Sequence, residues 1–182
     1  MKPSPHTAYC LRMLTRVARL KGDAAECGVA DGKTTFALDA TVLKAGKKLY
    51  AFDTFSGFPY DDSRGGLKKG EFNFGSQFFD ALGKRGKTSI VPVTGKIEDT
   101  LGLYAHMKFC FVWLDMDLYQ PTAFACKFFE DRIVPGGILG FHDYRFSKCP
   151  GIAAVVDEEL NRFKFEEVFN RRNSIFFRRR EE

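Results

Sequence analysis

The sequence predicts an α/β protein, a three-layer sandwich around a mostly parallel sheet, on three observations. Short apolar runs alternate with helical patterns five times and then end in two adjacent strands. The runs are continuously apolar, as in strands covered by helices on both faces. Acidic residues recur where the apolar runs stop, which in an open sheet of this kind is where ligands bind.

The elements follow in order. Leu11, Leu14, Val17 and Leu20 recur at helical spacing with arginines between them, predicting an amphipathic helix over 8–21. Its apolar stripe is expected to pack on the body of the protein or on a second subunit, as in a homodimer, rather than on a membrane. Ala24–Val29 is a buried strand that runs into the turn Ala30-Asp31-Gly32, and a helix from Lys33 to Lys44 stops at Ala45-Gly46. Lys48–Phe52 is the second strand, ending at Asp53. Thr54–Gly75, rich in Gly, Asp, Lys and Ser, reads as a long surface loop of the kind that serves as a functional lid. A helix near Ser76–Leu82, strand Ser89–Val93 and helix Ile97–His106 lead to strand Phe109–Leu114. Helix Ala123–Arg132, strand Ile138–Phe141 and helix Ile152–Phe163 precede a hairpin of Phe165–Phe169 and Ser174–Phe177. No linker splits the chain, so the expected organisation is a basic helical leader, 1–22, followed by one domain, 23–182.

Composition narrows the function classes. With 182 residues, 45% hydrophobic and 28% charged, one core suffices without disulfides or metal staples. No apolar run approaches the ~20 residues needed to cross a bilayer, and the start lacks the apolar core of a secretory signal peptide, so a cytoplasmic protein with no membrane partner is expected. Cys10, Cys27, Cys110, Cys126 and Cys149 lack metal or redox spacing, and a disulfide framework is not expected. The net charge of +5 matches Lys2, Arg12, Arg16, Arg19 and Lys21, which stand without any acid in the leader; the body is neutral. Arg178-Arg179-Arg180 is partly offset by Glu181 and Glu182. A nucleic-acid partner would call for a basic face across the fold and is not the expectation.

The strand ends to inspect are Glu26–Gly32, Asp53–Gly57, Thr94–Asp99, Asp115–Asp117 and His142–Asp143. Gly32-Lys33-Thr34 resembles the end of a phosphate-binding loop, but that motif needs glycine where Cys27 stands; the dinucleotide pattern fails at Ala30. What remains is a glycine turn, Gly28 to Gly32, with Glu26 at the strand end. An acid there disfavours a pyrophosphate and suits a cationic, hydroxyl-bearing ligand such as S-adenosylmethionine. Asp53, about 20 residues past the turn, is placed to accept hydrogen bonds from ribose hydroxyls. If the strand conformation persists, Asp115 and Asp117 point to the same side. Their repulsion would be resolved by a divalent cation, with His142 and Asp143 completing an open site. Carboxylates and water suit Mg²⁺, whereas a histidine ligand suits Mn²⁺ or a later metal better. The alternative is that Asp117 caps the next helix and His142 is a packed neutral ring. Phe78, Phe79, Phe128 and Phe129 are expected in the core, Lys33 in solvent, and His6 and His106 at the surface.

These segments resemble the macrocin O-methyltransferase family. The resemblance rests on Trp113–Thr122 with its Asp115-Met116-Asp117-Leu118-Tyr119, on Val134–Tyr144, on Glu26-Cys27-Gly28-Val29, on Ala51–Pro59, and on the helix Gly151–Leu160, in order over about residues 23–160. It implies a class I, Rossmann-like methyltransferase with a seven-stranded sheet whose last strand is antiparallel, so that the C-terminal hairpin is antiparallel. It also implies metal-dependent methylation, by S-adenosylmethionine, of a hydroxyl on a small molecule, typically a sugar of a natural product. By position, Asp115 and Asp143 would bind the metal, with His142 beside them; Asp117 would be the general base. Glu26, Gly28, Asp53 and Ser56 would line the cofactor site. The chain departs from the family at His142, where an acid is usual, and in having about 22 residues before its first strand. A non-catalytic cofactor-binding module and a nucleic-acid methyltransferase anchored by the leader helix and Arg178–Arg180 are the rival classes.

Overall fold

The structure, a computed structural model, describes residues 3–181; Lys2 of the basic leader and Glu182 of the C-terminal cluster lie outside them. Seven strands form one sheet in the order β3-β2-β1-β4-β5-β7-β6. In chain order they are β1 (Asp23–Cys27), β2 (Leu49–Asp53), β3 (Ile90–Thr94), β4 (Phe109–Leu114), β5 (Ile133–Phe141), β6 (Phe165–Arg171) and β7 (Ser174–Arg179). The first five pair in parallel, and β7 lies antiparallel between β5 and β6. Strand order therefore reverses between β1 and β4, and the crevice at their carboxyl ends is the ligand position of such a sheet.

Helices α1 (Pro5–Val17), α2 (Lys33–Lys44) and α3 (Gly75–Gly83) pack on one face; α4 (Ile97–Thr100), α5 (Tyr119–Glu130) and α6 (Pro150–Ala154) pack on the other. Strand alternation feeds both layers: Val112 and Leu114 join the α5 side, while Phe111 and Trp113 join the α1 side. Trp113 is fully buried and stacks on Phe176 of β7 at 5.1 Å. All five cysteines are free and buried.

Several boundaries differ from the sequence expectation, each for a local reason. Helix α1 starts at Pro5, because the Ser4 side chain accepts a hydrogen bond from the Thr7 amide and proline suits a first turn. Helix α5 begins at Tyr119 rather than Ala123: its first-turn Pro121 needs no donor, and the Tyr119 amide donates to Asp62 at 3.2 Å from the long loop. The helix expected over 97–106 is one α turn followed by a 3₁₀ turn, Leu101–Tyr104. The C-terminal hairpin turns on Arg172 and Asn173, both at positive φ (48° and 61°), which matches the twist of its strands. Phe78 and Phe129 are buried as expected, but Phe79 is 44% exposed beside Phe55. Among the described residues, no helix is long and apolar enough to cross a membrane.

Candidate functional site

A cleft opens at the carboxyl ends of β1, β2 and β4, lined by Gly28, Asp53, Glu98, Asp115 and Asp117 among others. Gly28 turns the chain out of β1 at φ +87°, and a Cβ there would overlap the carbonyl oxygen of Asp115. No other residue lets the backbone of the first loop lie against the end of β4 in this way. Asp53 ties the loops together. Its Oδ2 accepts from the amides of Val29 (2.6 Å) and Ala30 (3.1 Å), and its Oδ1 from Phe55 (2.7 Å).

Two of the expected cofactor residues lie elsewhere. Glu26 does not line the cavity: its side chain faces the α1 and α2 layer, where it is 1% exposed and its Oε2 has no hydrogen-bond partner. Burial drives its carboxyl well above the usual range, with the neighbouring Thr35 hydroxyl opposing and the charges of Asp115 and Asp53 reinforcing the shift. Ser56 follows Phe55, itself at positive φ, and is turned out to solvent on the loop. Conversely, Glu98 stands in the cavity wall, its Oε1 accepting from the Tyr60 hydroxyl at 2.5 Å while Oε2 is buried and unpartnered. The position of Glu98 past β3 marked it for inspection in the sequence; its clasp with a residue 38 positions away did not show there.

The second half of the site is acidic. Leu114 of β4 pairs with Phe141 of β5, so the residues that follow, Asp115 and His142, are brought side by side. His142 Nδ1 lies 2.9 Å from Asp115 Oδ1 and 2.9 Å from Asp143 Oδ2. Donor atoms of these three residues fall within 4.8 Å of one another, as do those of Asp117, Asp143 and Cys149. The expected pairing of Asp115 with Asp117 on one side is corrected here. Asp117 has φ +63°, so strand alternation ends at Met116 and Asp117 groups with Asp143 and Cys149 instead. Asp143 has φ +54°, a second non-glycine left-handed residue at the same spot; such conformations cluster at functional sites. The Trp113 indole donates to Asp115 Oδ2 at 3.3 Å.

Electrostatics follow from this crowding. Burial works against a charged His142 ring, but hydrogen bonds to Asp115 and Asp143 outweigh it and push its pKa up to about 10. Burial, a hydrogen bond shared with Asp143 and the charges of Asp115 and Asp143 raise Asp117 to about 9. Asp143 is held below the usual range, the bonds with His142 and Asp117 overcoming its burial. His6, expected at the surface, is half-buried against the His142 ring, with centroids 4.5 Å apart. No periodicity could have shown that contact, because it joins the first turn of α1 to the end of β5.

Residues 25–144 match the profile of a methyltransferase domain. By sequence, no curated protein matches. Among solved structures, the calicheamicin methyltransferase CalS11 is similar with a TM-score of 0.78 at 20% identity, covering 94% of this chain and 76% of that one. The O-methyltransferase NovP gives 0.72 at 20% identity, covering 96% and 78%. SMU.1697c of Streptococcus mutans, solved in complex with SAH, gives 0.64 at 14% identity, covering 98% and 99%. The structural likenesses establish a class I fold, and the profile spans more than half of the sequence: the chain belongs to the methyltransferase-domain family, the S-adenosylmethionine-dependent methyltransferases.

Proposed function

We propose that the protein is an O-methyltransferase that moves the methyl group of S-adenosylmethionine to a hydroxyl of a small molecule, a natural-product sugar being the favoured class. Within its family it stands with the macrocin O-methyltransferases. The observation that carries this reading is the abutment of the cavity on the acidic cluster: Asp115 and Asp117 belong to both. A methyl donor held in the cavity would lie beside carboxylates able to orient a hydroxyl. CalS11 is a TDP-rhamnose 3′-O-methyltransferase, which supports a sugar acceptor, and NovP is an O-methyltransferase, which supports a hydroxyl.

The donor set fits a divalent cation. Asp115, His142 and Asp143 offer two oxygens and one nitrogen within 4.8 Å, a mixture that suits Mn²⁺ or a later metal better than Mg²⁺. Such an ion, when bound, supplies Lewis acidity that lowers the pKa of a coordinated hydroxyl. The chain's own residues do the rest. Gly28 and Asp53 shape the donor pocket, and Glu98 Oε2 offers an acceptor for a donor hydrogen of the cofactor. Placement of the acceptor oxygen in line is worth roughly 7–11 kcal/mol of barrier. Asp117 is the group placed to take the hydroxyl proton at its carboxylate; burial is the first cause that raises its pKa, and the hydrogen bond with Asp143 and the charges of Asp115 and Asp143 add to it.

The test is calorimetric titration with S-adenosylmethionine, with and without Mn²⁺ or Mg²⁺, against NAD and ATP as controls, followed by turnover on hydroxylated sugars. Asp117→Asn should abolish turnover and leave cofactor binding intact, whereas Asp115→Ala should weaken metal binding. Cofactor binding without turnover on any acceptor would instead indicate a non-catalytic binding module. A nucleic-acid acceptor is the second reading, favoured by one observation: Arg16 of α1 and Arg178, Arg179 and Arg180 of the C-terminus line a single open groove. Steeply salt-dependent RNA binding, weakened by Arg16→Ala, would support it.

A further inference from the structure

The first turn of α1 lies over the acidic cluster and is fastened there. Ser4 Oγ is 3.0 Å from His6 Nε2 and 2.8 Å from Thr7 Oγ1, and Thr7 Oγ1 is 2.9 Å from Thr34 Oγ1 in the first turn of α2. Thr7 and Thr34 are both buried, so the link between α1 and α2 in this clasp is shielded from water. It fixes a ring whose far side meets His142: the two imidazoles pack at 4.5 Å with their planes at 57°. Trp113 packs against the same His142 ring at 5.9 Å and 54°. His142 thus meets two rings while its Nδ1 faces Asp115 and Asp143.

We propose that His6 is a positioning residue of the active site, a ring carried in by α1 that locks the His142 imidazole in the orientation directing Nδ1 between Asp115 and Asp143. The physical need is clear from the geometry. An imidazole rotated out of its plane about the Cβ–Cγ bond would withdraw Nδ1 from both carboxylates at once, leaving a buried acid, Asp143, and a partly buried one, Asp115, without their shared partner. Packing on the ring holds its plane, and the two hydrogen bonds at Nδ1 then decide which edge faces the carboxylates. The rigid base for the lock is α1 itself, whose Cys10, Met13, Leu14 and Val17 are buried against the sheet. This inference rests on the proposed reaction only in taking the His142 cluster as its site.

The experiment has one arm that needs no acceptor. Histidine side-chain ¹⁵N NMR of the apo protein reads the His142 ring directly. In His6→Ala its nitrogen signals should shift and its Nδ1 proton should exchange faster, and in His6→Phe, which restores a ring without nitrogens, both should return towards wild type. In the activity arm, His6→Ala should lower kcat roughly tenfold or more, as loss of a supporting contact does at such sites, leave S-adenosylmethionine affinity unchanged, and be largely rescued by His6→Phe. Unchanged His142 signals in His6→Ala would overturn the proposal, as would failure of His6→Phe to restore them. Should His6→Ala not fold, Thr34→Val keeps both rings and loosens the clasp; it should broaden the His142 signals, and sharp wild-type signals would count against the lock. If no acceptor is ever turned over, the functional reading fails while the NMR arm still decides this one.

Discussion

Asp117 keeps a proton at neutral pH because burial, then a hydrogen bond shared with Asp143 and the charges of Asp115 and Asp143, raise its pKa to about 9. His142 is in the complementary situation, charged because the same carboxylates embrace it. The pair has a consequence for metal binding. A cation coordinated by Nδ1 must displace a proton whose pKa is about 10, so protons compete with metal throughout the neutral range. Affinity for Mn²⁺ should therefore rise with pH, by roughly tenfold per unit below that pKa, with proton release on binding. Titration with Mn²⁺ alone at pH 6.5, 7.5 and 8.5 checks this, and a flat profile would remove Nδ1 from the ligand set. The identities of Asp115, Asp117, His142 and Asp143 were legible as strand-end residues. Their grouping into two clusters that share Asp143 was not, since it depends on one left-handed φ at Asp117.

At the scale of elements, Asp39 shows how a buried charge joins two of them. It sits on α2 at 3% exposure and accepts from the Ser89 amide (2.8 Å), the Ser89 hydroxyl (2.6 Å) and the Thr88 hydroxyl (2.9 Å), which fixes the residues leading into β3. Burial raises its pKa, but these bonds, with Arg85 at 3.5 Å, outweigh burial and lower it overall. Asp39→Ala should cost about 3 kcal/mol, because the Ser89 amide is left buried without an acceptor; chemical denaturation measures it. Since the folded pKa is depressed, the contribution is full above the ordinary aspartate pKa of about 3.9 and is lost as pH falls through the lower folded value. The stability difference between wild type and the variant should thus narrow at low pH. The hairpin offers the opposite change: Arg172→Asn with Asn173→Gly places residues tolerant of positive φ at 48° and 61° and should raise Tm. The existence of nearly every element was readable from periodicity, whereas their ends were set by partners distant in sequence, as the Asp62 carboxylate sets the start of α5.

For the molecule as a whole, α1 is bound into the fold. Cys10, Met13, Leu14 and Val17 are at most 5% exposed and pack with Ala24, Phe111 and Trp113 in one core. At about 1.5–3 kcal/mol for each large apolar side chain buried, removing them would cost an amount comparable to the whole stability of a domain this size. Deleting residues 1–17 should therefore give a chain without a cooperative thermal transition, measured by calorimetry or circular dichroism. The stripe of Leu11, Leu14, Val17 and Leu20 announced an amphipathic helix, but a stripe names no partner. The structure supplies the body of the protein as that partner.

The alternation of apolar runs with helical patterns determined the three-layer sheet, and the acids at the strand ends marked the edge where the chemistry lies, because both follow from local periodicity and from the rule that open sheets bind ligands at their carboxyl ends. Only the tertiary structure decided which side chains meet there. It turned Glu26 away beneath α1, brought Glu98 into the cavity wall, set Asp117 apart from Asp115 and carried His6 onto His142. Each of those outcomes rests on strand register, a single backbone dihedral or the docking of one helix, quantities fixed by contacts between residues far apart in the chain.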